Sequence, residues 1–307
     1  MTTFATNPKT SFSRVPRSRG VESATLRVAI PNGTRQAAVV ELLSQAGLRP
    51  TEGLTPQRPL LPLQNSDCKA LSPQNIIGML ATGSRDVGFA SSDWVEEQGV
   101  DLVELLDTGL DPVSIVAAAP TDLLDAGRLP QRELVVASEY EKLARAWIAT
   151  RDQRAKFVRT YGDTQAFTPE DADVIIDAMA WRSPQPGPGL TIVEDIMRSS
   201  TKLFASKAAM SDPDKRRRVE DFAMLVRSVL SARERVMIDL NVSAANFNSV
   251  VESLPCMREP TVAPLNGGMG FAVRVAVPRQ NLAELIPIIK GRGGTDIVVT
   301  QPSQIVI

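Results

Sequence analysis

The run Val113-Ser-Ile-Val-Ala-Ala118 constrains this chain more than any other segment. It is too short to cross a membrane and lacks the polar alternate positions of a strand with one wet face. It reads as a strand covered on both sides, like the central strands of parallel sheets. Such a strand needs helices above and below it, and the flanking sequence supplies them. Leu26-Arg-Val-Ala-Ile30 predicts a buried strand and Pro31-Asn32-Gly33-Thr34 a turn. The spacing of Val39, Leu42, Leu43 and Ala46 predicts a helix from about Arg35, ended by Gly47.

A second helix is predicted over 73–82, stopped by Gly83, and strands over 86–90, 103–106, 134–137, 157–160, 173–177 and 203–205. Ser91-Ser92-Asp93 predicts a helix cap before Trp94, and Ser138-Glu139-Tyr140-Glu141 has the S-x-x-E form of a capping box. Tyr140, Leu143 and Trp147 share the core face of the helix that follows. This alternation implies a mainly parallel, doubly wound α/β body, whose ligands sit at the carboxyl ends of strands.

A charged helix over 212–232 begins with Lys215-Arg-Arg-Arg218, read as a solvated face or, alternatively, a phosphate or partner contact. The rhythm then changes. Strands at 236–242, 261–265, 271–277 and 296–300 and helices at 244–254 and around Leu282, Leu285, Ile286 and Ile289 give the βαββαβ order of a ferredoxin-like domain. Pro287 should kink or shorten the second of these helices.

Composition removes several classes of function. Acids and bases nearly cancel, at a formal charge of -1, so the chain lacks the basic field of a nucleic-acid binder. It contains no histidine, which excludes Ser-His triads and His-ligated metals. The two cysteines, Cys68 and Cys256, are too few and too separated for a disulfide framework or a zinc site. No apolar run approaches the roughly 18 residues of a membrane span. Residues 1–23, rich in Ser, Thr, Arg and Pro, fit a disordered tail or an organelle-targeting segment.

A series of landmarks follows in order. Leu26 to Gly33 forms a strand and turn. Gly83-x-x-Asp86-Val-Gly88 leads to Asp93 in a G-x-x-D-L-G-I-x-G-x-D spacing. Leu105-Leu-Asp-Thr-Gly109, Ala137-Ser-Glu-Tyr140 and Asp173-Val-Ile-Ile-Asp177 come next, the last followed by Gly189-Leu190. Leu254-Pro255, Pro260 to Leu265 and Gly294-x-x-Ile297-Val-Val close the series.

Together these resemble ATP phosphoribosyltransferase in its long form, with a C-terminal regulatory domain. The resemblance implies a two-lobed body like a periplasmic binding protein around a cleft. Lobe 1 would cover 24–119 with 197–212, lobe 2 120–196, a linking helix 213–234 and the regulatory domain 235–307. It implies phosphoribosyl pyrophosphate (PRPP) with magnesium, joined to ATP at ribose carbon 1 with release of pyrophosphate. It also implies an amino-acid effector such as histidine at the C-terminal domain, and a cytoplasmic homo-oligomer, hexamer or dimer.

The resemblance assigns Asp173 and Asp177 to the ribose hydroxyls or magnesium, and Gly33 with Arg35 to the pyrophosphate. Asp86 and Asp93 are carried over as substrate-side residues. Departures fall at other polar positions. The family's T-G-x-T-L phosphate loop is here Trp181-Arg182-Ser183-Pro184-Gln185, with Arg182 able to supply a charge-assisted bond in place of neutral donors. Asn32 replaces a Lys, Ser72 an Arg, Gln165 a Glu and Ser91 a Gly. Two lost charge-assisted bonds, about 1.5–3 kcal/mol each, weaken anion binding by roughly two to four powers of ten. The sequence therefore leaves three readings open: a working phosphoribosyltransferase, a paralogue acting on a different small molecule, or a non-catalytic sensor.

Overall fold

The computed structural model describes residues 25–151, 154–181, 184, 186–255 and 259–306. The predicted tail over 1–23, and Arg182, Ser183 and Gln185 of the expected phosphate loop, lie outside these residues. The body contains β1 (Leu26–Pro31), α1 (Gln36–Gln45), β2 (Ser66–Leu71), α2 (Pro73–Ala81), β3 (Val87–Ser91), α3 (Ser92–Gln98) and β4 (Val103–Pro120). It continues with β5 (Leu134–Ser138), α4 (Glu141–Ala149), β6 (Ala155–Arg159), β7 (Val174–Ala180), β8 (Leu190–Ala205), α5 (Lys207–Ser211) and α6 (Pro213–Arg233).

These strands form one sheet in the order β2-β1-β3-β8-β4-β7-β5-β6. Each end is a parallel trio, β2-β1-β3 and β7-β5-β6. Between them β4 and β8 run antiparallel to each other and to their outer neighbours. The reading of 113–118 as a parallel strand is thus corrected, although its burial on both faces holds. An apolar run records that both faces are covered, and the direction of its neighbours leaves no mark on it.

The predicted strands at 103–106 and 113–118 are parts of β4. Its register breaks between Asp107 and Leu110 and again between Leu110 and Val113, where Gly109 and Asp111 take positive φ values of 64° and 46°. β8 was predicted only over its last three residues, because Glu194, Asp195, Arg198, Ser199 and Ser200 interrupt the apolar pattern.

One core cluster runs across both lobes, joining Ile76 and Leu80 of α2, Trp94 of α3, Ile115 of β4, and Leu143 and Trp147 of α4. A second packs α1 and α6 against β1 and β3 through Leu42, Leu43, Phe89 and Phe222. Helix α6 is capped by Asp212, whose carboxylate accepts the Asp214 and Lys215 N–H groups at 3.0 and 3.2 Å. Its basic run is a docking surface within the chain: Lys215 pairs with buried Asp86 at 3.0 Å, and Arg218 donates to the carbonyls of Gln64 and Asn65. Arg216 and Arg217 are the exposed members of the run, with Arg216 pairing with Glu220 one turn along.

The C-terminal unit comprises β9 (Arg235–Ser243), α7 (Phe247–Val251), β10 (Thr261–Pro264), β11 (Gly270–Pro278), α8 (Leu282–Gly291) and β12 (Gly294–Thr300). Its sheet, β10-β11-β9-β12, is antiparallel throughout, with Val250 of α7 and Leu285 and Ile289 of α8 in its core. This is the predicted ferredoxin-like domain. Helix α8 runs on through Pro287, while α7 is shorter than the predicted 244–254. No described helix is long and apolar enough to cross a membrane.

Candidate active site at the junction of the two lobes

The carboxyl ends of the parallel strands bring the polar positions of both lobes together. In lobe 1, β1 ends at Pro31, and exposed Asn32 and Gly33 turn the chain into α1, with Gly33 at φ 68°. Only glycine takes that conformation without a Cβ clash. Arg35 then reaches Ser91 Oγ at 3.5 Å, at the end of β3.

Ser91 occupies the N-cap position of α3, but its side chain makes no capping bond. The Asp93 N–H instead donates to Ser199 Oγ of β8 at 3.0 Å. Ser138 likewise does not cap α4, which starts at Glu141. Its hydroxyl donates to the Ile176 carbonyl at 2.6 Å and accepts the Tyr140 N–H at 2.9 Å, so cross-strand bonding displaces the predicted capping box.

Asp93, fully buried, joins the lobes. It accepts hydrogen bonds from the Tyr140 hydroxyl at 2.7 Å and from Ser199 at 2.6 Å, while the rings of Tyr140 and Trp94 stack 4.7 Å apart. Burial drives the Tyr140 hydroxyl well above the ordinary tyrosine pKa, and Asp93 adds to the effect. The charges of Arg35 in lobe 1 and Asp177 in lobe 2 both act on the same hydroxyl. Replacing Tyr140 with Phe removes one charge-assisted bond, while Asp93 keeps Ser199. The expected cost is about 1.5–3 kcal/mol in urea unfolding; unchanged stability would remove Tyr140 as a lobe latch.

In lobe 2 a depression of about 580 Å³ is lined by Glu139, Gly162 to Ala166 and Asp177. Gly162 and Asp163, at φ 102° and 46°, bend the chain so that Thr164 and Gln165 line it. A Cβ on Gly187 would meet Gln165 Oε1 at 2.9 Å, so the loop before β8 passes directly beside this glutamine. Burial raises the Asp177 carboxyl above its ordinary pKa. The Ala178 N–H at 2.7 Å opposes the rise and the charge of Glu139 adds to it. Among the described residues neither carboxylate has a cationic partner. An acidic pair lining a concave site suits ribose hydroxyls or a cation arriving with an anionic substrate.

The pattern of the family described as ATP phosphoribosyltransferase matches residues 72–228, and that of its C-terminal domain residues 232–303. The chain belongs to the ATP phosphoribosyltransferase family. An ATP phosphoribosyltransferase of Chlorobaculum parvum is 28% identical over 277 residues, covering 89% of this chain and 94% of that one. One from Solibacter usitatus is 27% identical over 287 residues, covering 92% and 99%. A solved ATP phosphoribosyl transferase (HisG:HisZ) complex from Thermotoga maritima contains a chain with the same fold. It matches at a TM-score of 0.60 with 19% identity, covering 67% of this chain and 99% of that one.

Against the family's landmarks, the predicted site residues divide. Asn32, Gly33, Arg35, Ser91 and Gln165 lie at carboxyl ends of strands or the turns after them, Ser72 precedes α2 at the end of β2, and Asp177 sits midway along β7. Asp173 does not join them. It precedes β7, roughly 13 Å along the strand from Asp177, and takes a two-pronged ion pair from Arg132 at 2.6 and 3.1 Å together with the Val135 N–H. Although burial opposes it, these bonds hold its carboxyl below the ordinary range. One metal ion cannot bridge Asp173 and Asp177.

Asp86 is likewise held by bonds within the chain. At the amino end of β3 it accepts the Arg27 N–H at 2.8 Å, the Arg27 guanidinium at 2.8 and 3.2 Å, and Lys215 at 3.0 Å. Trp181 continues the line of β7, its N–H donating to the Pro112 carbonyl, and lines a second depression of about 720 Å³ apart from Gln165. Sequence reasoning missed Glu139, Thr164 and Arg198. In the sequence Glu139 belongs only to a cap motif, and Arg198 lies in the polar half of β8, where no motif marks it.

Proposed function

We propose that this chain transfers the phosphoribosyl group of PRPP to ATP with release of pyrophosphate, the first step of histidine biosynthesis. The observation that carries this reading is the acidic depression of Glu139, just after β5, and Asp177, midway along β7, joined through Tyr140 to the Arg35 side of lobe 1.

The Asp177 carboxylate would accept bonds from the ribose hydroxyls and stabilise positive charge developing at ribose carbon 1. Gly33 and Arg35 would hold the departing pyrophosphate. Catalysis of this kind is positioning plus electrostatic stabilisation, and it needs neither histidine nor a covalent intermediate. No group of three or more acidic or Cys side chains that could hold a metal occurs among the described residues. Magnesium is commonly bound by one or two carboxylates and the substrate's own phosphates. Asp177 and Glu139 would hold it, and it would neutralise charge on the pyrophosphate.

The proposed division assigns 24–119 with 197–212 to lobe 1, 120–196 to lobe 2, and the ferredoxin-like unit to effector binding. The working form is a cytoplasmic homo-oligomer. Calorimetric titration with PRPP and magnesium, followed by ATP addition and pyrophosphate detection, tests the reading. Micromolar PRPP binding with stoichiometric pyrophosphate release is expected; folded protein that binds no PRPP would overturn it.

A further inference from the structure

The end of α6 and the turn before α8 gather three arginines that the transfer chemistry does not use. Arg233 closes α6, Arg235 opens β9 opposite Pro278 of β11, and Arg279 follows that proline. The Arg279 N–H donates to the Glu234 carbonyl at 2.8 Å, which pins the turn before α8 to the end of α6. Together with Glu234, Pro278 and Gln280 these arginines line a depression of about 600 Å³. Small-molecule sites span roughly 300–1,000 Å³.

The charges in it are unbalanced. Arg233 donates to a neutral group, Gln45 Oε1 of α1, at 3.0 and 3.3 Å. Arg235 reaches the Ser231 carbonyl at 3.4 Å and stands 3.9 Å from Glu234, whose side chain is 79% exposed. A pair so long and so solvated contributes little. Arg279 is exposed and, among the described residues, its side chain has no partner. Other surface arginines meet carboxylates closely: Arg145 with Glu141 at 2.8 Å, Arg274 with Asp239 at 2.6 Å. In a chain whose charges nearly cancel, three guanidinium groups around one distant carboxylate are a local excess. The carbonyls ending α6 oppose an anion here, but Arg235 already covers one of them. The amino end of α8, with no side-chain cap at Asn281, begins just beyond Arg279 and favours it.

We propose that this seam between the body and the ferredoxin-like unit binds a small phosphate-bearing anion. Phosphate oxygens match the guanidinium fork, and a phosphate group carries a charge of about −1.5 to −2 at neutral pH, more than a single carboxylate supplies. Gln45 ends α1 whereas Gly33 and Arg35 precede it, so the seam lies roughly 14 Å along that helix from the expected pyrophosphate position. The site does not depend on the transferase reading. Because Arg233 belongs to α6 and Arg235 and Arg279 to the C-terminal unit, a bound anion ties the two together.

Calorimetric titration with pyrophosphate at constant ionic strength tests the site. Any binding at Arg35 is common to wild type and R279Q, so their difference isolates the seam. R279Q should lose one pyrophosphate per chain or bind it about 10- to 100-fold more weakly. R279K, keeping the charge without the fork, should fall between them, and R235Q/R279Q should abolish the site. Arg279 is exposed, so R279Q should melt with wild type in the absence of anion, while wild type should gain more stability on adding pyrophosphate. Inorganic phosphate should compete; acetate at the same ionic strength should not. Pyrophosphate bound by R235Q/R279Q with wild-type stoichiometry and affinity overturns the proposal, as does acetate competing as well as phosphate. Polyglutamate held at the seam more tightly than pyrophosphate would assign it to an acidic protein segment and equally overturn it.

Discussion

Asp177→Asn is expected to lower kcat/KM for phosphoribosyl transfer about 100- to 1,000-fold, the usual effect of deleting one preorganised electrostatic group. The same substitution should make the protein more stable at neutral pH. Burial and Glu139 raise the Asp177 pKa in the folded state, so folding disfavours the charged form. The sign follows from linkage: above the raised folded value the ionised carboxylate costs stability, and the cost fades as pH falls through that value. Asn carries no such cost. Its stabilising effect should therefore shrink on acidification, while wild-type activity falls along an acid limb lying above the ordinary Asp range. Thermal unfolding and steady-state kinetics of both proteins between pH 4 and 8 test this, on an assay scale set by ordinary carboxylate pKa values of about 4. Undiminished kcat/KM in the Asn variant would remove Asp177 from the mechanism.

Asp86→Ala should have the largest effect on stability, about 3–5 kcal/mol, because it breaks a buried ion pair and leaves its partners behind. Asp86 is fully buried, and the side chains of Arg27 and Lys215 are only 31% and 14% exposed. The carboxylate also holds the Arg27 N–H at the start of β1 and ties α6 to lobe 1, so its loss loosens strand and helix together. Burial alone would raise the Asp86 pKa, but the bonds from Arg27 and Lys215 outweigh it and hold the carboxyl below its ordinary value. For a depressed carboxylate the stabilisation is complete above the unfolded pKa of about 3.9 and is lost as pH falls through the folded value. Urea unfolding at pH 7 should separate variant from wild type widely, and the gap should close in strong acid. A gap independent of pH would mean that the residue acts through packing alone.

The two aspartates of the D-V-I-I-D strand show how far residue pattern reaches. Both look alike in the sequence, four residues apart with an acid at each end of an apolar core. The difference between them is which end of β7 meets the other lobe, and that is set by pairing with β4 and β5. Asp173 is taken by Arg132, a residue 41 positions away, while Asp177 meets Glu139 and the turn at Gly162. Asp86 shows the same limit: its partner Lys215 lies 129 residues further on, in a run whose sequence reads as a solvated face. Trp181 followed the family's phosphate loop by count, but its place beside Pro112 depends on β7 staying paired with β4 through Ala180.

The sequence by itself determined which segments are buried, the order of strands and helices, the ferredoxin-like C-terminal unit and the family. These depend on local periodicity, turn residues and motif order, all carried within a few residues of one another. Tertiary structure alone decided strand direction, the identity of the acid that faces the cleft, and the pairing of Trp181 with Arg198. Side-chain period records whether a face is covered. Which long-range neighbour covers it is chosen only when strands distant in the chain find their register.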